Sequence, residues 1–166
     1  FTCDSDIGTK INRGKDYVFS NKIETAASMK VLELATDADF QYVTLTGGAS
    51  ATNNEILNIL NMVEGVYERE LNLTISVVFQ HTWSSPDPYT STSASNFLTS
   101  FKNYWNANFT NIARDAAHIW TAKPNLMNQG LAYLGVICQR PDFAYGFSGK
   151  IEWDEAKFLI TGHELG

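Results

Sequence analysis

Two hydrophobic patterns that follow each other directly constrain the fold more than any other feature of this chain. Apolar side chains recur at helical spacing from Ile56 to Tyr67, which predicts a long amphipathic helix that ends near Leu71. The next run, LTISVVFQ at residues 73–80, is rich in β-branched and aromatic residues and predicts a central strand, with Val78 mostly buried. A helix that leads directly into such a strand indicates a helix packed on a sheet.

The same alternation continues along the rest of the chain. Thr52 and Glu55 form a capping box, which predicts that the long helix begins at Thr52. Asp37 and Asp39 are predicted to lie in a loop between two extended segments. Alternating strands and helices predict a three-layer α/β domain with a mainly parallel sheet. The predicted strands are residues 31–35, 40–45, 73–80, 116–120 and 131–138, and further helices cover 97–105 and the segment from Asp154.

Length and charge exclude several classes of protein. The 166 residues fit one domain, with residues 1–28 as an N-terminal arm or propeptide remnant and residues 29–166 as the folded part. The net charge of −6 and the absence of a Lys/Arg cluster argue against nucleic acid and anionic membranes as partners. The apolar stretch 130–138 is too short to insert into a membrane. A charged fraction of 18% favours an exported protein.

The last predicted helix contains the residues with the strongest chemical signal. Leu159, Ile160 and His163 recur at helical spacing, which predicts that His163 faces inward with Glu164 beside it. The final TGHELG matches the first half of HExxH, in which two imidazoles on one helical face bind zinc and the Glu takes a proton from water. Taken alone, the His-Glu pair can also be explained as a hydrogen-bonded buried pair or as an exposed pair. The other histidines, His81 and His118, are interpreted as structural.

Several segments, in this order and spacing, resemble the catalytic domain of the reprolysin-like metzincins over residues 29–166. They are KVLELATDADF, TNNEILNILNMVEGVYERELNLTISVVFQHTW, SNFLTSFKNYWNANF, ARDAAHIWTA, GLAYLGVIC and TGHELG. The resemblance implies a metzincin-like N-terminal subdomain of three layers. Its twisted, mainly parallel mixed sheet has an antiparallel edge strand, is flanked by long helices and is followed by the active-site helix.

The resemblance also implies a function, namely a secreted zinc endopeptidase that acts on peptide or protein substrates. His163 would be the first zinc ligand and Glu164 the general base. Leu131 and Ala132 would bind an extended substrate through their backbone. Glu33 and Asp115 resemble acidic residues that hold a structural calcium ion in some members. Since the remaining zinc ligands would follow Gly166, we expect this chain to be inactive alone and to bind zinc poorly.

Two other functions compete with this interpretation. An exported binding or scaffold domain would keep the fold without the metal, and a gluzincin peptidase would take its last zinc ligand from a distant Glu. The cysteines also leave alternatives open: Cys3 and Cys138 pair with each other, Cys138 pairs with a partner beyond Gly166, Cys3 caps zinc in a latent precursor, or a cysteine is buried unpaired.

Overall fold

The computed structural model describes residues 28–126, 129–137 and 139–166. The predicted N-terminal arm, apart from Ser28, therefore lies outside the described residues. The predictions made for Cys3 and Cys138 also fall on residues outside them. None of the helices in the described ranges is long and apolar enough to cross a membrane.

A five-stranded sheet forms the middle layer, with the strand order β2-β1-β3-β5-β4. The first four strands in this order pair in parallel, and β4 runs antiparallel to β5 at the edge. This arrangement confirms the predicted mainly parallel sheet with an antiparallel edge strand. The strands are β1 (Lys30–Ala38), β2 (Leu73–Thr82), β3 (Ala116–Thr121), β4 (Gly130–Ala132) and β5 (Tyr145–Gly149).

Helices cover both faces of the sheet and bury two separate hydrophobic cores, which confirms the three layers. Ile56 and Val63 of α2 pack with Leu34 on one face, where α4 adds Leu165. Phe101 of α3 belongs to the core on the opposite face. The helices are α1 (Phe40–Thr46), α2 (Ala49–Leu71), α3 (Ala94–Asn108) and α4 (Asp154–Leu165), with a short 3-10 helix at Pro141–Phe143.

The prediction of an extended segment at residues 40–45 is wrong, because α1 occupies it. Asp39 begins this helix: its Oδ1 accepts the Tyr42 N–H at 2.8 Å. Asp37 does not lie in a loop either, since β1 continues to Ala38 and buries the Asp37 side chain completely. Two aspartates separated by one residue are typical of a turn, but here Asp37 belongs to β1 and Asp39 caps α1.

The predicted capping box at Thr52 is also wrong. The long helix starts earlier, at Ala49, with Gly48 as its N-cap. The Thr52 hydroxyl donates to the Gly48 carbonyl oxygen at 2.9 Å, whereas an N-cap side chain would accept a backbone N–H. Glu55 pairs instead with Lys157 of α4 at 2.8 Å, so its carboxylate stabilises a contact between helices.

Two predictions about strands need correction. β2 is an outer strand of the described sheet rather than a central one, and Val78 is 38% exposed. The strand predicted at residues 131–138 ends after Ala132, because the chain turns at Gly135, whose φ is 65°. Strand β5 was not predicted, since the glycines of YGFSG weaken any strand pattern.

Candidate active site

Helix α4, which carries His163 and Glu164, lies beside α2 on one face of the sheet and packs against α2, β4 and β5. Its buried residues near the C-terminal end are Thr161 and Leu165. The hydroxyl of Tyr67, on α2, donates to the carbonyl oxygen of Gly162 at 2.5 Å. A β-carbon at Gly162 would lie 3.7 Å from Val63 of α2, an ordinary van der Waals distance, so the two helices are in close contact here.

His163 points away from the core, and the predicted inward orientation is wrong. The imidazole is exposed, and Leu159, one helical turn earlier, is 61% exposed. The stripe drawn through Leu159 and His163 is therefore the outer face of α4. The pattern predicted the wrong buried face because the true one includes a threonine and a glycine, which do not count as apolar in such a pattern. An exposed imidazole is accessible for metal coordination.

Glu164 lies over the first residue of the edge strand. A β-carbon added at Gly130 would stand 2.5 Å from Oε1 of Glu164, so a side chain at residue 130 would displace this carboxylate from its position. Within the described ranges, no group is hydrogen bonded to the Glu164 carboxylate. Partial burial raises the pKa of Glu164 above its ordinary value, and the neighbouring His163 offsets part of this rise. With respect to the described residues, the lone pairs of this carboxylate are available.

Strand β4, which contains the predicted substrate-binding residues, has one paired edge. Leu131 lies opposite Phe147 and Ala132 opposite Gly146, both in β5. In the described part of the sheet no strand pairs with the other edge of β4. The fold thus brings Glu164 to the beginning of an open edge strand whose next residues are Leu131 and Ala132.

The two histidines interpreted as structural differ in their surroundings. Nδ1 of His81 lies 2.9 Å from Oδ1 of Asp37. His118 is fully buried, and burial lowers its pKa to about 3, so the ring is neutral. Nε2 of His118 lies 2.8 Å from Oγ of Ser148. That hydroxyl in turn contacts Thr161 of α4 at 3.2 Å. Nothing in the sequence links His118 to the last helix, because the contact runs through a neighbouring strand.

The two acids predicted to bind calcium are adjacent in the structure. The Glu33 N–H donates to Oδ2 of Asp115 at 2.9 Å, and the Asp115 N–H donates to the Glu33 carbonyl oxygen at 2.8 Å. Calcium requires six to eight oxygen ligands. Two carboxylates, one already accepting a backbone N–H, fit this requirement only partly, and calcium binding at Glu33 and Asp115 stays a prediction.

The described residues meet the requirements of a catalytic zinc site only in part. A catalytic zinc ion is held by three protein ligands, and no group of three His, Cys, Asp or Glu side chains that could hold a metal occurs among the described residues. His163 and Glu164 therefore fit one ligand and one base of such a site, and not a complete ligand set. Two surface clefts, of about 280 and 290 Å³, are lined by other residues.

Comparisons with known proteins agree with the resemblance noted in the sequence. The reprolysin-like model of metallo-peptidase family M12 matches residues 28–166. The zinc metalloproteinase-disintegrin-like brevilysins H2a and H2b of Gloydius brevicauda are each 33% identical over 147 residues, which cover 82% of this chain and 33% of each relative. The chain thus spans about a third of the length of these relatives.

A solved structure described as "Structure of a chaperone-substrate complex" contains a chain with a similar fold. It superposes with a TM-score of 0.65 at 12% identity, over 84% of this chain and 24% of that one. At this identity the likeness concerns the fold alone. The family match over 28–166 and the identity to the two brevilysins concern the sequence itself. This chain belongs to metallo-peptidase family M12.

Proposed function

We propose that this chain is the front part of a zinc-dependent endopeptidase domain, in which His163 supplies one zinc ligand and Glu164 is the general base. The observation that carries the proposal is the position of the Glu164 carboxylate, which lies over Gly130 at the start of the open edge strand β4. Membership of the M12 family supports the zinc chemistry.

The properties of Glu164 suit proton transfer during hydrolysis. Bound zinc would acidify water and polarise the scissile carbonyl. Glu164 accepts a proton from the water whose oxygen bonds to the carbonyl carbon. When the C–N bond breaks, Glu164 returns that proton to the amine nitrogen. A carboxylate with a raised pKa and no other hydrogen-bond donor among the described residues is suited to hold this proton briefly.

The open edge of β4 supports the choice of a peptide as substrate. An extended peptide can add to an exposed strand through backbone hydrogen bonds, here with Leu131 and Ala132. Such a peptide would run beside Glu164, because Gly130 immediately precedes these residues. Backbone recognition does not depend on the peptide's side chains, so this edge orients a substrate without selecting its sequence.

Two further elements of the proposal concern the whole protein. We propose that it is exported, which the charged fraction of 18% supports. We also propose that the remaining zinc ligands lie outside the described residues, since these offer His163 and no complete set. The 166-residue chain alone is then expected to bind zinc weakly and to lack peptidase activity.

The test compares this chain with the full-length product of its gene, using zinc titration and a quenched fluorescent peptide. In the full-length protein, Glu164→Gln is expected to lower kcat by about 10²–10⁴ with zinc retained. His163→Ala should weaken zinc binding. Full activity in Glu164→Gln would contradict the assigned base. A full-length protein with neither zinc nor activity would instead support the scaffold domain.

A further inference from the structure

We propose that His118, Ser148 and Thr161 form a buried polar chain that positions α4, and that these three are positioning residues for His163 and Glu164. The link to His163 and Glu164 rests on the function proposed above, whereas the positioning of the helix does not. The three residues come from β3, β5 and α4, so the polar chain crosses from the middle of the sheet to the helix.

The polar chain is continuous and shielded from solvent. His118 and Thr161 are fully buried and Ser148 nearly so. Nε2 of His118 lies 2.8 Å from Oγ of Ser148, and that oxygen lies 3.2 Å from Oγ1 of Thr161. Buried polar groups without partners cost free energy, so each of these groups holds the next one in place.

The direction of the hydrogen bonds follows from the other ring nitrogen. Among the described residues Nδ1 of His118 has no hydrogen-bond partner, and a β-carbon at Gly146 would stand 3.0 Å from it. An orphaned N–H is rarer in protein cores than an unsatisfied acceptor, so Nδ1 carries the lone pair and Nε2 the proton. Nε2–H then donates to Ser148, whose own proton is free to donate to Thr161.

Directed hydrogen bonds can fix the rotation of α4 about its own axis, whereas apolar contacts cannot. Hydrophobic burial is non-directional and leaves a helix free to rotate slightly about its axis. Thr161 lies three residues before Glu164, hence on a neighbouring part of the same face. From the other side, the Tyr67 hydroxyl holds the Gly162 carbonyl. Two polar anchors at adjacent residues fix the rotation of α4 and thereby the direction of both candidate site residues.

Two substitutions of Thr161 separate positioning from space filling. Thr161→Val keeps the volume and removes the hydroxyl, whereas Thr161→Ser keeps the hydroxyl and removes a methyl group. In the 166-residue chain, Thr161→Val is expected to raise amide hydrogen exchange at residues 162–165 by about five- to tenfold and to shift the His163 ring signals in NMR spectra. Thr161→Ser should stay close to the parent in both measurements.

The matched control is Thr99→Val on α3. The Thr99 hydroxyl donates to the Ser95 carbonyl within its own helix at 2.7 Å and lies 3.3 Å from the Tyr133 hydroxyl, but among the described residues it makes no hydrogen bond to α4, so its loss should leave α4 and the His163 signals unchanged. Ser148→Ala removes the middle hydroxyl and is expected to act like Thr161→Val, and it decides the matter if Thr161→Val does not fold. A larger effect of Thr161→Ser than of Thr161→Val on hydrogen exchange and on the His163 signals would overturn the proposal.

These measurements need neither zinc nor activity, so they fail independently of the peptidase proposal. A chain in which Val disturbs α4 and Ser does not supports the polar chain, even if Glu164→Gln in the full-length protein shows Glu164 is not the base. If neither Thr161→Val nor Ser148→Ala affects α4 more than Thr99→Val does, the polar chain is refuted, whatever the peptidase assay shows.

Discussion

Asp37 and Glu164 are carboxylates in very different surroundings. Asp37 is completely buried beneath α3, and its Oδ2 accepts the indole N–H of Trp105 at 2.8 Å and the hydroxyl of Tyr89 at 2.9 Å. Its Oδ1 lies 2.9 Å from the His81 ring. Glu164 is half-buried over Gly130, and no described residue donates a hydrogen bond to it.

These different surroundings suit the two carboxylates to different roles. A carboxylate surrounded by donors on rigid rings has its lone pairs occupied, and removing it would leave those donors unpaired in the core. A partly desolvated carboxylate without donors contributes little to folding but can accept a proton. By this criterion Asp37 is structural, and Glu164 is available for chemistry.

The largest expected effect comes from removing the buried acid. Asp37→Ala leaves the Trp105 N–H and the Tyr89 hydroxyl without their acceptor, and should lower the free energy of unfolding by about 3–5 kcal/mol. Urea denaturation followed by tryptophan fluorescence measures this loss. A loss below about 1 kcal/mol would show that the donors find other partners, and would weaken the contrast with Glu164.

The next largest effect is expected on acidification, which should lower the free energy of unfolding through His118. Since the pKa of His118 falls from 6.5 to about 3 on folding, the unfolded state takes up a proton first as the pH drops. His118 therefore stabilises the fold fully above pH 6.5, and this contribution declines by about 1.4 kcal/mol per pH unit between pH 6.5 and 3.

The measurement is the pH dependence of the free energy of unfolding in the parent and in His118→Gln, a variant that cannot take up this proton. The difference in slope between the two isolates His118 from the acidic residues that titrate in the same range. Equal slopes in the two proteins would mean that His118 keeps an ordinary pKa in the fold.

Alanine substitutions at two glycines compare the packing of the core with that of the open edge of the sheet. Gly146→Ala places a methyl group 3.0 Å from Nδ1 of His118 and 3.1 Å from the β-carbon of Ala132, and should cost about 1–3 kcal/mol. The nearest atoms to a methyl group in Gly130→Ala belong to the flexible Glu164 side chain, which can move, so this change should cost less than about 1 kcal/mol. Thermal unfolding of both variants gives the comparison, and a larger loss for Gly130→Ala would show that Glu164 is held rigidly.

The smallest expected effect on stability is that of Glu164→Gln. Because burial raises the pKa of Glu164, the charged form is slightly disfavoured in the fold, and neutralising it at pH 7 should change the free energy of unfolding by no more than about 0.5 kcal/mol. Chemical denaturation at pH 7 checks this. A loss above about 1.5 kcal/mol would mean that Glu164 is a structural residue like Asp37.

Elements with a regular local pattern could be predicted from the sequence. The helical spacing in α2 and α3 and the β-branched run of β2 reflect contacts that each element makes along one face. Residues 40–45 were predicted wrongly as extended, because the cap at Asp39 outweighs the β propensity of the segment. Strand β5 owes its place to two neighbouring strands rather than to its own glycine-containing sequence.

The candidate site divides in the same way. The pair His163 and Glu164 was recognisable because the HE dipeptide on a helix is a local feature. The face that the helix buries was not, since Thr161 and Gly162 meet partners on β5 and α2 that are distant in the chain. The roles of Glu164, Leu131 and Ala132 stay predictions, although the fold brings them to one edge of the sheet.

The class of fold, most helices and the residue types available for chemistry can be inferred from the chain's local patterns, because they depend on propensity and periodicity over a few neighbouring residues. The strand order, the outward direction of His163 and the proximity of Glu164 to Gly130 arise only when the chain is folded. These depend on free energies of packing between segments far apart in the chain, which no local pattern encodes.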